Sequence, residues 1–597
     1  MEIPSYDLRN RLRRLSHGHL IYIANELDYT VPDALDSEGL VDFLVERQEA
    51  RGAQFWDTLR IAEERLAERH RVQDSTYLAP AVAVDFDPDS DDKLSQKELE
   101  AHLWGAANLL RGKIDSSDFK HYIFGLLFYK RLSDVCDEED AEPSEPGERL
   151  IRVPSRMRWS NVCQATTRIG ERLNKAFADL EQLDPRLEGL FQGVDFANRE
   201  RFPDATLQLL LRHFERHTLS NSLVEPDMLG NAYEYLIGKF ANDAGKKGGE
   251  FYTPKRVVRL LVECLQPVGG MSVYDPACGS GGMLLEAHQY IRRYEKEAGG
   301  LPLDYFGVLP ELKLFGQEMN LSTWAICRMN LFLHDIHEAK IERGDTLRDP
   351  KHLVDERLRK FDRVLANPPF SLKGWGREQW ARGDVFGRDR YGCPPAQNGD
   401  LAFVQHMLAS LKDDGKLGVV LPMGFLYREG VDGTIRKGLV RDDLIDAIIG
   451  LPKNLFYGTG IAACVVFITL RKELKRRGKI LLIDGSREYV AGKARNELVD
   501  ENVDQLASAY HAFEDNPGFS RVVSLEEVEA RDCKLNIRPF IPAPVERSPD
   551  GDVESMVRQI RILDARCAEG YSEYEDLLEQ LQDPLQAESS DSGGHHG

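Results

Sequence analysis

Apolar residues recur at spacings of three and four through "LIYIANEL" and "LVDFLVERQEARGAQFWDTLRIAEERL", and this period predicts helices across residues 1–75. The stretch "YLAPAVAVDFDPDSDDKLS" (77–95) loses the period and carries proline, aspartate and serine, as a linker does. A second helical block follows, with "LEAHLWGAANLLRG" and "DFKHYIFGLLFYKRLSDV" as its amphipathic stretches; the acidic "CDEEDAEPSEPGE" (136–148) reads as a solvated loop. From about residue 250 the pattern changes. Short apolar runs now alternate with helical stretches: "MSVYDPA", "LKLFGQEMN", "KIERGDTL", "FDRVLANPP", "KLGVVLP", "LIDAIIGLP" and "ACVVFITL". Such alternation predicts an α/β fold with a doubly wound, mostly parallel sheet, flanked by helical N- and C-terminal domains. The last two runs are too close together for a helical crossover, so they are expected to form an antiparallel hairpin at the sheet edge. The expected division is a helical accessory domain at 1–80, a linker at 81–95, a helical domain at 96–225, the α/β domain at 226–475 and a C-terminal region at 476–597. That last region holds a long helix, with Met556, Ile560 and Leu563 on its apolar side as a partner-docking surface, and ends in a disordered tail, "ESSDSGGHHG".

Composition sharpens this picture at three points. A chain of 597 residues exceeds one core and implies several domains. No run approaches the roughly 18 apolar residues of a membrane span, and the N-terminus lacks the apolar core of a signal peptide. The nine cysteines include no CxxC pair, which argues against a zinc ribbon or a disulfide framework and for a reducing cytoplasm. Charge is the most informative. Lys and Arg total 77 against 99 Asp and Glu, a formal net charge of −22. A protein that gripped DNA alone would show the opposite balance, so any nucleic-acid role needs a partner to supply positive surface.

The run "VYDPACGSGGM" (273–283) is a strand entering a glycine-rich turn and then a helix. Gly279, Gly281 and Gly282 allow a tight turn and close ligand approach, and the helix N-terminus offers unpaired N–H groups. There is no Gly-Lys-Ser/Thr ending, and Asp275 would repel phosphate; a cationic ligand suits the turn better. Glu318 ends the next strand, where a carboxylate can accept both hydroxyls of a ribose. Asp345 ends the third, where it can accept from an adenine amino group. Each acid taken singly is also compatible with a helix cap or a solvated turn.

At residues 367–370 the chain reads "NPPF". Pro368 and Pro369 fix φ and lack N–H groups, so they end the strand rigidly, and Asn367 before them is held extended. The Asn367 amide and the Pro368 carbonyl then stand as two fixed acceptors for the protons of an exocyclic amine. Holding those protons favours a localised, nucleophilic lone pair, an effect exerted mainly in the transition state. Phe370 offers a face on which a flat base can stack.

The order "EFYTP", "DPACGSGG", "GQE", "GDTL", "ANPPF" resembles the amino-methyltransferases that use S-adenosylmethionine, and more narrowly the modification (M) subunit of type I restriction–modification systems. The block "HLWGAANLLRGKIDSSDFKHYIFGLLFYKRLSDV" resembles the N-terminal domain peculiar to those subunits. The resemblance implies N6-adenine methylation of DNA, with S-adenosyl-L-methionine as cofactor; the residues themselves offer no candidate metal site. It implies a separate specificity subunit, two M subunits per complex, and an associated restriction subunit. By the same resemblance, Glu250, Phe251, Tyr252, Thr253, Pro254 and Lys255 contact the methionine end of the cofactor. Asp275, Pro276, Ala277, Cys278 and Gly279, with the turn Ser280, Gly281 and Gly282, flank it; Glu318 holds the ribose and Asp345 the adenine. Asn367, Pro368, Pro369 and Phe370 hold the target base. Two alternatives fit the same clamp or fold: methylation of a protein glutamine amide, and a non-catalytic scaffold of a defence complex. Finally, the loop "SLKGWGREQWARGDVFGRDRYGCPPAQNG" (371–399) interleaves Lys373, Arg377, Arg382, Arg388 and Arg390 with Trp375, Trp380 and Tyr391, a mixture suited to phosphate contact and base stacking.

Overall fold

The computed structural model describes residues 94–110, 116–141, 151–243, 253–298, 311–456, 460–492 and 495–542, with Val41 and Leu44. The chain divides into two compact units, Met1–Asp91 and Asp92–Gly597, and the helices and strands from Gln96 onward belong to the second. The accessory domain expected at 1–80, most of the linker, and the C-terminal docking helix and tail lie outside the described residues.

Helix α1 (Gln96–Leu110) opens on a reciprocal cap: the Ser95 N–H donates to the Glu98 carboxylate (2.9 Å) and the Glu98 N–H to Ser95 Oγ (3.4 Å). Its buried Leu99, Leu103, Ala106 and Leu110 follow the helical period and share one core with α2 (Ser116–Ala141), α3 (Ile169–Leu183) and α4 (Asp204–Phe214). Gly105 lets α1 approach α4 closely, since a Cβ there would lie 2.9 Å from the His213 ring. Arg131, buried on α2, donates to the carbonyls of Leu219 (2.5 Å) and Val224 (3.0 Å) and so pins the loop before α5 (Pro226–Asp243).

The α/β domain was expected to begin at residue 226, but α5 packs as part of the helical layer. Leu229, Tyr233, Leu236 and Phe240 lie in one core with the residues of α1 and α2. The change of period near residue 250 comes after this helix, so α5 opens the region read as the α/β domain while its apolar side packs with the helical layer. The same core also takes Ala325, Ile326, Met329 and Leu333 from α8, a helix of the sheet domain.

The sheet domain runs α6 (Lys255–Leu265), β1 (Ser272–Asp275), α7 (Gly282–Ala298), β2 (Lys313–Glu318), α8 (Leu321–Leu333), β3 (Lys340–Arg343), β4 (Phe361–Ala366), α9 (Asp400–Ala409), β5 (Leu411–Pro422), α10 (Gly430–Arg441), β6 (Ile445–Gly450), β7 (Ala463–Thr469), β8 (Lys479–Asp484), α11 (Asp500–Ala512) and β9 (Ser520–Ser524). Nine strands form one sheet in the order β9-β8-β6-β7-β5-β4-β1-β2-β3. Every residue of β1, β6 and β7 is buried, because helices cover both faces and leave no polar side to alternate with. β1 pairs in parallel with both β2 and β4, so the chain moves outward through β2 and β3 and then returns to the other side of β1. That reversal opens a crevice at the carboxyl ends of β1 and β4.

β7 is antiparallel to both β5 and β6, as the short connection required, yet it lies inside the sheet. β8 pairs with β6 in parallel, and β9 closes the edge against β8. The expected edge hairpin is therefore interior, and the sheet continues past the boundary read at residue 475. Among the described residues no helix is long and apolar enough to cross a membrane.

Candidate active site

Asp275 ends β1 almost completely buried, 1% exposed, and its Oδ1 accepts the Ala277 N–H at 2.9 Å. The turn after it is held from behind. Thr346 Oγ1 donates to the Pro276 carbonyl (2.6 Å), the Cys278 N–H to the Gln317 carbonyl (3.1 Å), and Asn330 Nδ2 to the Ser280 carbonyl (3.0 Å). Gly279 and Gly281 adopt φ of 54° and 86°, and a Cβ on Gly281 would stand 2.9 Å from Cys327 Sγ. Cys278 is a buried free thiol beside the Cys327 thiol, with their sulfurs 3.9 Å apart, and serves as packing. Burial pushes the Asp275 carboxyl up to about 8, with the nearby Glu318 charge adding to the rise. A cation placed beside Asp275 would pull it back towards ionisation, so the turn favours a positively charged ligand.

Glu318 accepts the Gly279 N–H at 3.1 Å and the Asn320 N–H at 2.8 Å, which ties the end of β2 to the glycine turn. Burial raises its carboxyl as well. Asp345 accepts the N–H groups of Leu347 (3.0 Å) and Arg348 (3.2 Å) and lies 3.6 Å from the Arg348 guanidinium. Both acids stand at successive strand ends as expected, and both also cap their local turns.

A solvent-open cleft brings together Thr253, Lys255, Asp275, Ala277, Cys278, Gly279, Ser280, Gly282 and Asn367. Pro254, Pro276, Gly281, Glu318, Asp345, Pro368, Pro369 and Phe370 are not among its walls. Glu250, Phe251 and Tyr252 lie outside the described residues.

Asn367 carries the most telling geometry. Its Nδ2 donates to Thr253 Oγ1 at 3.0 Å, which orients the amide, and its Oδ1 is buried with no hydrogen-bond partner. A buried acceptor left unmatched costs about 1–3 kcal/mol, so this atom is poised for a donor from a ligand. Behind it, the Ser371 N–H donates to Asp400 Oδ1 (2.7 Å), and Asp400 pairs with Arg428 (3.3 Å). Ser371 itself has φ of 53°, so this network holds a left-handed residue directly after Phe370 in the strand exit. The half-buried Phe370 ring packs edge-on against Phe456, which lies beyond β6, with centroids 5.8 Å apart.

The 371–399 loop differs from expectation. Trp375 and Trp380 are each 1% exposed and form a T-shaped pair, with their indole N–H groups donated to the carbonyls of Pro395 and Leu347. Arg388 is buried in a pair with Asp384 (2.6 Å) and stacks over Trp380. Arg390 and the Tyr391 hydroxyl both engage Asp442 at 2.7 Å. The two indoles and Arg388 therefore build the small core that shapes the loop, leaving Lys373, Arg377, Arg382 and the Asp442-paired Arg390 as its exposed cations.

Six cleft residues escaped the sequence reading: Glu234, Val258, Met283, Leu285, Glu286 and Gln289. For Glu286 a signal existed, because it stands four residues after Gly282 and so one turn into the helix, on the face above its N-terminus. Glu234 stands on α5 beside Asn231 and Gly238, where no local pattern singles it out, and the packing of that helix places it at the cleft.

Comparisons with known proteins agree with this architecture. The N-6 DNA Methylase family matches residues 224–548, and the HsdM N-terminal domain matches 99–214. The chain is 31% identical to the type I restriction enzyme MjaVIII methylase subunit of Methanocaldococcus jannaschii over 526 residues, covering 82% of this chain and 86% of that one. It is 30% identical to the MpnII methylase subunit of Mycoplasma pneumoniae, covering 82% and 96%. The crystal structure of a type I restriction–modification methyltransferase subunit from Streptococcus thermophilus superposes with a TM-score of 0.66 at 30% identity, covering 75% of this chain and all of that one.

Proposed function

This chain belongs to the N-6 DNA methylase family as a type I methylase (M) subunit, and on that premise we propose that it transfers the methyl group of S-adenosyl-L-methionine to N6 of adenine in DNA. Membership makes it a DNA methyltransferase, in place of the glutamine-amide enzyme or the non-catalytic scaffold. The single observation that carries the proposal is the buried, unmatched Oδ1 of Asn367, fixed in orientation by Thr253.

The cofactor, when bound, supplies an electrophilic methyl group. The donor set fits it: a buried acid for a cation, a glycine turn that admits close approach, and no lysine within that turn to meet a phosphate. Asp275 and the 277–282 turn would hold it beside Asn367, with Glu318 and Asp345 at the ribose and adenine. Asn367 Oδ1 and the Pro368 carbonyl would accept the two protons of the adenine amine and keep its lone pair directed at the methyl carbon. As the new N–C bond replaces the carbon–sulfur bond, the residues of the clamp would let the surplus amine proton pass to water. Phe370 and Phe456 would line the pocket for the flipped base.

The chain would act in the cytoplasm with a specificity subunit that reads DNA, two copies of this chain per assembly, and a restriction subunit that joins it. The acidic balance supports a partner, because the −22 charge cannot by itself hold a polyanion. The test is methylation mapping of genomic DNA from cells carrying the wild-type chain or Asn367→Ala. N6-methyladenine at one sequence motif is expected in the wild type only. In purified complex the variant should retain cofactor affinity while kcat falls about 10²-fold or more. Near-normal methylation by the variant would sink the amine clamp.

A further inference from the structure

Three charged side chains line the active-site cleft without serving the amine clamp or the glycine turn, and each comes from a different element. Lys255 opens α6, Glu234 lies in α5 of the helical layer, and Glu286 lies in the first turns of α7. Lys255 Nζ stands 3.3 Å from the Glu234 carboxylate, and its positive charge also reaches Glu286. Glu286 is 3% exposed and accepts from Arg293 at 2.6 Å, which leaves the rest of its carboxylate at the cleft wall. The charges are thus balanced as two pairs, Glu234 with Lys255 and Glu286 with Arg293.

A cation and an anion paired at the wall of a ligand cleft suit a zwitterion that can part them. An α-amino acid group entered between them would set its ammonium against Glu234 and its carboxylate against Lys255, giving four alternating charges where there were two. Parting the original pair costs little on the cation side, because the Lys255 side chain is 43% exposed and its ammonium stays in contact with water. The two new contacts are charge-assisted hydrogen bonds in a more enclosed setting.

We propose that Glu234, backed by Glu286, receives the α-ammonium of the cofactor's amino-acid end, and that Lys255 exchanges Glu234 for its α-carboxylate. The helical layer then contributes a binding residue to the cofactor site through α5. The proposal rests on the cofactor reading above, in which Lys255 already belongs to the segment at the methionine end, and adds to it Glu234 of the helical layer as the partner of the ammonium.

The experiment is calorimetric binding to the full-length chain of two ligands, S-adenosylhomocysteine and 5′-methylthioadenosine. Both carry the adenosine and the sulfur, and only the first carries the amino-acid end. In Glu234→Gln, which keeps the shape of the side chain, affinity for S-adenosylhomocysteine should fall about tenfold or more while that for 5′-methylthioadenosine stays within about twofold. Lys255→Met should show the same selectivity. Equal losses for both ligands would assign Glu234 a structural role and overturn the proposal, as would no loss for either. A wild-type chain that binds neither ligand would overturn the cofactor reading and this proposal with it. Wild-type binding with a non-selective Glu234→Gln would overturn the proposal alone.

Discussion

Asp275 shows how a single residue couples ligand charge to pH. Its carboxyl is pushed up to about 8 by burial and by Glu318, so near pH 7 the unliganded protein holds it largely protonated. A sulfonium nearby favours the ionised form, so binding should release a proton below that value. Affinity for S-adenosylmethionine should therefore rise between about pH 6 and 8, and more steeply than affinity for the uncharged thioether of S-adenosylhomocysteine. Asp275→Asn should flatten that difference; calorimetry in buffers of different ionisation heat measures it. A pH slope shared equally by both ligands would exclude Asp275 as its source. The acid itself was legible, because it ends an apolar run before a glycine turn. Its neighbours were less so. The Asn367–Thr253 bond joins residues 114 apart, and no local pattern reports such a contact.

Where α1 meets α4, the His102 and His213 rings stack 4.4 Å apart and His213 Nε2 donates to the His102 carbonyl at 2.8 Å. His217 adds its edge at 4.6 Å, and Arg216 and Lys130 bring further positive charge. Burial, then the neighbouring His213, lowers His102 to about 3. The folded state thus favours neutral His102, whose ordinary pKa is about 6.5. Its contribution to stability is complete above about pH 6.5 and is lost progressively as pH falls towards 3. Thermal unfolding should show the helical layer weakening across that window, and His102→Gln should make the decline shallower; an unchanged decline would remove this pair as its cause. Element types were readable here from periodicity alone. What the period could not show was membership: α5 reads as an amphipathic helix whichever layer it joins, and β8 lies directly behind the charged run "RKELKRRGK" that masks its strand. The loop tryptophans misled for a related reason. An indole flanked by arginines has the same composition whether it stacks on a base or fills a core, and only packing decides.

At the scale of the whole chain, charge sets what the protein can do alone. Of the loop cations expected to meet DNA, Arg388 is committed to Asp384 and Arg390 to Asp442. The isolated chain should bind duplex DNA only weakly, at about 10⁻⁴ to 10⁻⁶ M and without sequence preference. Base flipping costs a few kcal/mol that so weak a grip cannot offset. Adding the specificity subunit should restore sequence-specific methylation in gel-shift and methyl-transfer assays, and removing residues 551–597 should abolish that rescue while leaving cofactor binding intact. Tight, sequence-specific methylation by the chain alone would contradict this.

Ala325, Ile326, Met329 and Leu333 of α8 are buried among the residues of the helical layer, while Cys327 and Leu331 of the same helix face the core beneath the glycine turn. One helix is thus a wall of two cores. Removing either core would expose an apolar face on the other, so neither half should be an autonomous folding unit. From Asp92 onward the chain should melt in one calorimetric transition, and a ligand seated at the glycine turn should slow amide exchange in α1 and α2, helices that contribute no residue to the turn.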